Sequence, residues 1–180
     1  MPKDLLITEA NYEDLVIGLL KEQGYEYTYG PDIPRTSPLY QDVYIADDFL
    51  AAVRKINSDL PLKAINEAFT KMKDLSGGNV AELNMEFTKF LQDGVPIHYF
   101  DGKEDIDTRV RLLDYGNPRN NIFRVVNQYT FQERETKRPD VVLFVNGMPL
   151  VIFELKSPNR EETDVSEACL LYTSPSPRDS

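Results

Sequence analysis

The chain has 180 residues, 41% of them hydrophobic, with 20 Lys or Arg against 30 Asp or Glu and a formal net charge of −10. That is enough apolar material for one domain with a real core, while the acidic balance argues against strong autonomous binding to nucleic acid, because phosphate affinity comes largely from Lys and Arg. No apolar run approaches the roughly 18 residues of a membrane-spanning helix and the first residues lack a secretory pattern, so a cytoplasmic protein without membrane contact is expected; one cysteine, Cys169, excludes an internal disulfide framework and a cysteine-rich zinc site.

In chain order, Tyr12, Leu15, Val16, Leu19 and Leu20 recur at helical spacing and predict an amphipathic helix over about residues 8–23, ended by Gly24. A turn-rich stretch from Gly30 to Pro34, with Pro38 beyond it, precedes helical patterns near 47–57, 61–74 and 80–92, separated by Asp59-Leu60-Pro61 and Ser76-Gly77-Gly78. Phe49, Leu50, Val53 and Ile56, then Ile65, Phe69 and Met72, then Leu83, Met85, Phe87, Phe90 and Leu91 are the expected core of these helices. They read as an insertion between the first helix and a sheet whose strands are expected near 106–114 and 122–133.

Three candidate chemistries fall away along this stretch. His98, the single histidine, reads as an incidental, partly buried imidazole rather than a general base. Gly102-Lys103 has neither the Gly-rich loop nor the following Ser or Thr of a phosphate cradle, so no ATP site is expected within the chain. Ser157 has no base in its sequence neighbourhood, which removes a serine-hydrolase reading.

The segment richest in chemistry follows. Val141 to Val145 and Leu150 to Leu155 are short apolar runs, and Asn146-Gly147 between them is the two-residue signal of a hairpin turn. With those two at the turn centre, Val145 faces Met148, and counting outward sets Asp140 opposite Phe153 and diagonal to Glu154. Two carboxylates then meet at one sheet end, and strand alternation puts Glu154 and Lys156 on one face with Leu155 on the other.

Burying carboxylates beside apolar strands costs several kcal/mol unless a cation or hydrogen bonds compensate, and Mg²⁺ suits such hard oxygen donors. An amine nearby fits phosphodiester hydrolysis, in which negative charge develops on phosphate. Glu-x-Lys is also an ordinary surface pair, worth roughly 0–1 kcal/mol; apolar neighbours on both sides and Pro139-Asp140 on the partner strand favour the metal site.

These residues carry a resemblance. Pro139-Asp140 with Glu154-Leu155-Lys156 resembles the PD-(D/E)xK nuclease pattern. The longer register of Arg138-Pro139-Asp140, Phe144 to Pro149 and Phe153 to Lys156 is similar to the amino-terminal nuclease domain of the restriction (R, HsdR) subunit of type I restriction-modification enzymes. Upstream, Thr8-Glu9-Ala10 through Gln23-Gly24-Tyr25, and Arg111 to Asp114 leading into Asn120 to Tyr129, are similar to the family's opening segments.

The resemblance implies an α/β fold: a restriction-endonuclease-like mixed β-sheet flanked by helices, here with an inserted helical segment. Residues 1–168 would form the nuclease domain, incomplete for want of a C-terminal helix and strand, and 169–180 a non-native or disordered tail. The family's Gln-x-x-x-Tyr element after the lysine strand is absent, because the sequence runs instead into Cys169 and a Ser-Pro-rich end.

By residue, the resemblance implies that Asp140, Glu154 and the Leu155 backbone carbonyl hold Mg²⁺ and that Lys156 is the catalytic lysine. Many members place a glutamate of the first helix near the metal, which nominates Glu13 as an accessory, although a solvated helix charge explains it more simply. Gln128, at the end of an apolar run, is a second accessory candidate, either hydrogen-bonded behind the metal ligands or solvated at the strand edge. Arg138, Lys137 and Arg124 lead a set of basic residues that would contact DNA phosphates or else serve as solvated charges.

The implied activity is that of a type I site-specific deoxyribonuclease, cutting double-stranded DNA in restriction of foreign DNA together with modification and specificity subunits. ATP would be needed only by translocase domains absent from this chain. A different PD-(D/E)xK nuclease, or a non-catalytic DNA-binding or docking module of the same fold, is the alternative.

Overall fold

Helix α1 (Glu9–Glu22) ends as its sequence predicts. Gly24 takes φ +94°, and the N–H groups of Gly24 and Tyr25 donate to the carbonyls of Lys21 and Leu20 at 3.0 and 3.1 Å, the paired closure of a left-handed helix end. The computed structural model describes residues 9–35, 43–75, 79–132 and 136–156. The tail 169–180 and the separator Ser76-Gly77-Gly78 lie outside the described residues.

The buried stripe of α1 is rotated from the expected one. Ile17 is buried and packs with Leu20, Tyr25, Val125, Val141, Leu143 and Phe153, whereas Leu15 and Leu19 are more than half exposed. Apolar residues occupy six of the nine positions from Tyr12 to Leu20, so spacing alone does not single out one face. The actual stripe, Glu13–Ile17–Leu20, carries an acid toward the sheet.

A strand that the sequence reading missed follows at once. β1 (Glu26–Tyr29) pairs in parallel with β4 (Phe123–Asn127), which pairs antiparallel with β7 (Val141–Val145), which in turn pairs with β8 (Met148–Phe153). The insertion therefore lies within the sheet rather than ahead of it. A parallel pair needs a crossover connection, and here residues 30–122 supply it.

The crossover carries α2 (Ala46–Ile56), α3 (Leu62–Lys73) and α4 (Val80–Asp93), close to the expected helices. Phe49, Val53, Ile65 and Met72 are buried as predicted, while Met85 is exposed and α4 buries no residue fully. α4 begins with a reciprocal cap, the Glu82 N–H donating to Asn79 Oδ1 at 3.0 Å and the Asn79 N–H to Glu82 Oε2 at 3.3 Å.

The expected strand near 106–114 is shorter and lies in another sheet. Among the described residues β3 (Asp105–Val110) pairs only with β2 (Val95–Phe100), forming a separate hairpin that packs on α3. His98 stands exposed on β2, its Nδ1 2.9 Å from Asp107 and its Nε2 3.6 Å from Asp105, which corrects the partly buried imidazole read from sequence. The strand expected to run through 133 stops at Asn127, because Gln128 turns into the left-handed region at φ +55°. Beyond it, β5 (Phe131–Gln132) and β6 (Thr136–Lys137) form a small two-stranded ladder.

α1 covers one face of the main sheet. The other holds Val126, Val142 and Phe144 against Ile33, Ile45 and Tyr129. Each fully buried aliphatic or aromatic side chain here contributes roughly 1.5–3 kcal/mol of transfer free energy. The result is α/β, a mixed sheet flanked by helices with a helical insertion, as the sequence led us to expect.

The hairpin tip is a core element rather than an exposed turn. Asn146 and Gly147 have φ +50° and +72°, the primed turn expected of Asn-Gly, and both are buried. Asn146 accepts from the Ile122 N–H at 2.7 Å and donates to the Leu112 carbonyl at 2.8 Å. Gly147 accepts from the Ile45 N–H at 2.9 Å, and a Cβ there would fall 2.2 Å from the Ile45 carbonyl oxygen. The turn thus locks the sheet to the start of α2.

Candidate active site

The ladder between β7 and β8 closes with Val141 opposite Phe153, so the next residues outward are Asp140 and Glu154. This differs from the register counted from the turn. A bulge between Leu143 and Phe144 leaves Leu150 as the extra residue, so Leu143 meets Val151 where the unbroken count would give Leu150. A shift of one residue moves side chains between faces. Without the bulge Asp140 would be counted opposite Phe153; with it, Phe153 pairs with Val141 and the ladder ends there.

Asp140 is half-buried and fixed. Its Oδ2 accepts the Leu155 N–H at 2.6 Å, across the end of the hairpin. Pro139 before it is buried, while Glu154 and Lys156 are exposed and Leu155 is half-buried. The structure thus brings Asp140 to the Glu154-Leu155-Lys156 segment and leaves the lysine facing solvent.

An acid of α1, Glu13, meets the end of β4. Glu13 Oε1 accepts from Asn127 Nδ2 at 2.5 Å, and its Oε2 from Gln128 Nε2 at 3.5 Å. Asn127 pairs with Val141, the residue next to Asp140. Glu13 and Gln128, nominated separately from sequence, touch each other, and Glu13 is half-buried rather than a freely solvated helix charge.

Asn127 was not among the residues singled out, nor was Tyr27, whose hydroxyl donates to Asn127 Oδ1 at 3.0 Å. The available signal was an Asn-Gln pair closing an apolar strand. Gln128 holds a backbone conformation that costs a non-glycine residue about 1–3 kcal/mol.

The basic residues separate by role. Arg124 forms a two-point pair with Asp48, Nε to Oδ2 at 2.6 Å and Nη2 to Oδ1 at 2.9 Å, and its Nη1 donates to Thr28 at 2.8 Å. The Asp48 hydrogen bond raises the Arg124 pKa further above its ordinary value. Its guanidinium therefore joins α2 to β4 and β1, inside the fold. Arg138 is exposed beside Pro139; Lys137 lies in β6, and its side chain is outside the described residues.

The donor set fits Mg²⁺. It consists of hard oxygens, two carboxylates and a backbone carbonyl, and Mg²⁺ is usually held by one or two carboxylates with waters and substrate oxygens completing the shell. Among the described residues no three His, Cys, Asp or Glu side chains stand close enough to hold an ion by themselves. The cleft of about 410 Å³ bordered by Lys71, His98, Asp107 and Arg109 lies on the β2–β3 hairpin and contains none of these residues.

A family described as the type I restriction enzyme R protein N terminus (HSDR_N) matches residues 7–170. The chain belongs to this family. It is 35% identical over 170 residues to the type I restriction enzyme HindI endonuclease subunit of Haemophilus influenzae, covering 91% of this chain and 16% of that protein. It is 28% identical over 158 residues to the putative MjaIXP endonuclease subunit of Methanocaldococcus jannaschii, covering 84% of this chain and 15% of that protein. Against the SsaAORF53P endonuclease subunit of Staphylococcus saprophyticus it is 28% identical over 168 residues, 89% of this chain and 16% of that protein. As an HSDR_N chain it spans about a sixth of the length of these relatives. Among the described residues no helix is long and apolar enough to cross a membrane.

Proposed function

We propose that this HSDR_N chain is the nuclease part of a type I restriction endonuclease subunit, hydrolysing phosphodiester bonds of double-stranded DNA with Mg²⁺. The observation that supports the reading is the hydrogen bond from the Leu155 N–H to Asp140, which ties Asp140 to the Glu154-Leu155-Lys156 segment beyond the end of the β7–β8 ladder.

Asp140, Glu154 and the Leu155 carbonyl would hold the Mg²⁺. When bound, the ion supplies Lewis-acid stabilisation of the phosphate charge and makes water more acidic. Lys156 alternates onto the face of Glu154 and presents three N–H donors to the phosphate oxygens, where charge grows in the transition state. The Leu155 N–H holds the Asp140 carboxylate in one orientation, so little reorganisation is needed as substrate arrives. Water adds to phosphorus and one P–O ester bond breaks, leaving a phosphate monoester and a hydroxyl end.

The net charge of −10 suits a nuclease that receives DNA from other parts of a larger assembly. We assign those parts to the remaining length of the subunit, where ATP would be used, and to modification and specificity subunits. Exposed Arg138 and neighbouring Lys137 would approach the DNA backbone, with Arg124 acting from behind through the fold. The test is plasmid cleavage by the full-length subunit in its complex: Asp140→Ala, Glu154→Ala and Lys156→Ala should each lower cleavage at least about a hundredfold, while ATP hydrolysis persists. Undiminished cleavage by any of the three contradicts that residue's role.

A further inference from the structure

The two edges of the β2–β3 hairpin differ. On β2, Lys71 Nζ donates to the Pro96 carbonyl at 2.8 Å and Lys63 Nζ to the Phe100 carbonyl, and Pro96 has no N–H to offer a neighbour. Pro96, His98 and Phe100 therefore turn their backbone groups away from β3, and the lysines of α3 cover that edge, a known guard against strand pairing. The same alternation sends the N–H and C=O of Asp105, Asp107, Arg109 and Arg111 away from β2. Arg111 bears this out, because its N–H donates to Asn57 Oδ1 at 2.9 Å and its carbonyl accepts from Asn57 Nδ2 at 2.8 Å. Among the described residues no strand pairs with β3 on this side, and Asp107 and Arg109 are exposed.

An open edge of this kind accepts another strand, and the charges of β3 favour one partner. Outward-facing residues pair in hydrogen-bonded fashion only with outward-facing residues, so the edge of a second, antiparallel copy can be centred on Asp107, on Thr108 or on Arg109. Centring on Asp107 or on Arg109 sets like charges opposite each other. Centring on Thr108 sets Asp107 of each copy opposite Arg109 of the other, so that every charge meets its opposite across a two-fold axis. We propose that the free edge of β3 is a self-docking surface, pairing antiparallel with β3 of a second copy about Thr108 and joining two hairpins into one continuous sheet. Asn57 closes the ladder at Arg111, so the interface is short and its association weak and salt-sensitive.

Sedimentation equilibrium of the chain should show dimer forming below about 1 mM. Arg109→Glu sets like charges opposite in both pairs and should raise the dissociation constant about tenfold. Asp107→Arg combined with Arg109→Asp exchanges the signs and should return it to within about threefold of the unaltered value. Amide hydrogen exchange locates the contact without any substitution: the N–H groups of Asp107 and Arg109 should exchange fast in dilute solution and slow as concentration rises.

A chain still monomeric at about 1 mM, equal association in Arg109→Glu, or a sign-exchanged variant as weak as the single one overturns the proposal. Dimerisation that leaves those two amides unprotected overturns it as well. Amides already protected in the dilute monomer mark an edge covered by the chain itself, and also overturn it.

Discussion

The carboxylate of Asp140 and the backbone N–H of Leu155 meet at 2.6 Å across the open end of the β7–β8 hairpin. This bond joins the two halves of the motif after the regular ladder has ended at Val141 and Phe153. It orients one acid and restrains the segment that carries the other acid and the lysine.

Removing the acceptor should therefore weaken the fold as well as the chemistry. Asp140→Ala leaves a partly buried N–H without its partner and should cost about 1–2 kcal/mol. Asp140→Asn, which keeps one acceptor oxygen, should cost less than half as much while still lacking the charge a cation needs. Urea denaturation of the three proteins checks the order; equal stability of the Ala and Asn variants would show that the bond contributes little.

The hairpin tip should be among the most sensitive positions in the sheet. Gly147→Ala places a methyl group against the Ile45 carbonyl and strains a backbone at φ +72°, so a loss of at least ~2 kcal/mol is expected. Asn146→Ala strands the Ile122 N–H and the Leu112 carbonyl, and about 3 kcal/mol should be lost. Denaturant midpoints measure both, and a change below about 0.5 kcal/mol at either would count against a buried turn.

Arg124 and Asp48 should behave as a buried pair rather than as a DNA contact. Their side chains are 20% and 11% exposed, so Asp48→Ala, which removes the two-point partner and leaves the guanidinium only Thr28 and the exposed carboxylate of Glu26, should cost about 3 kcal/mol. Because the pair is shielded, that loss should change little between low and high salt. A loss that vanishes in high salt would mark the pair as a solvated surface bridge.

The pH response of His98 has a definite sign. The hydrogen bond to Asp107, helped by the charges of Asp107 and Asp105, raises its pKa above the ordinary histidine value. A folded-state pKa raised above the unfolded one means that the contribution to stability is fully present below about pH 6.5 and is lost as pH rises through the folded value. Proton NMR should show the His98 midpoint above that of a model peptide, falling back in Asp107→Asn. A midpoint at or below the ordinary value in the unaltered chain contradicts the pairing.

The sequence was most legible where local chemistry decides structure. Asn146-Gly147 specified its turn, Gly24 its helix end, and the spacing of Phe49, Val53 and Ile56 the buried face of α2. Reading failed where tertiary contacts decide. Nothing local announces that Leu150 is the extra residue of a bulge, although the bulge is what brings Phe153 opposite Val141. β1 is too short and too polar at Glu26 and Thr28 to stand out, and its parallel partner lies beyond the whole insertion. Glu13 looked like a surface charge because six apolar neighbours obscured which face of α1 is buried. Asp140, Glu154 and Lys156 were legible as a motif, whereas Asn127 became visible only through the side chains it touches.

The most direct measurement is an anomalous-difference map from crystals of the chain soaked in Mn²⁺, a stand-in for Mg²⁺ that also favours oxygen ligands. The account predicts a peak coordinated by carboxylate oxygens of Asp140 and Glu154 and by the Leu155 carbonyl, absent in Asp140→Ala. No peak at the end of the β7–β8 hairpin, or a peak that survives Asp140→Ala unchanged, would contradict it.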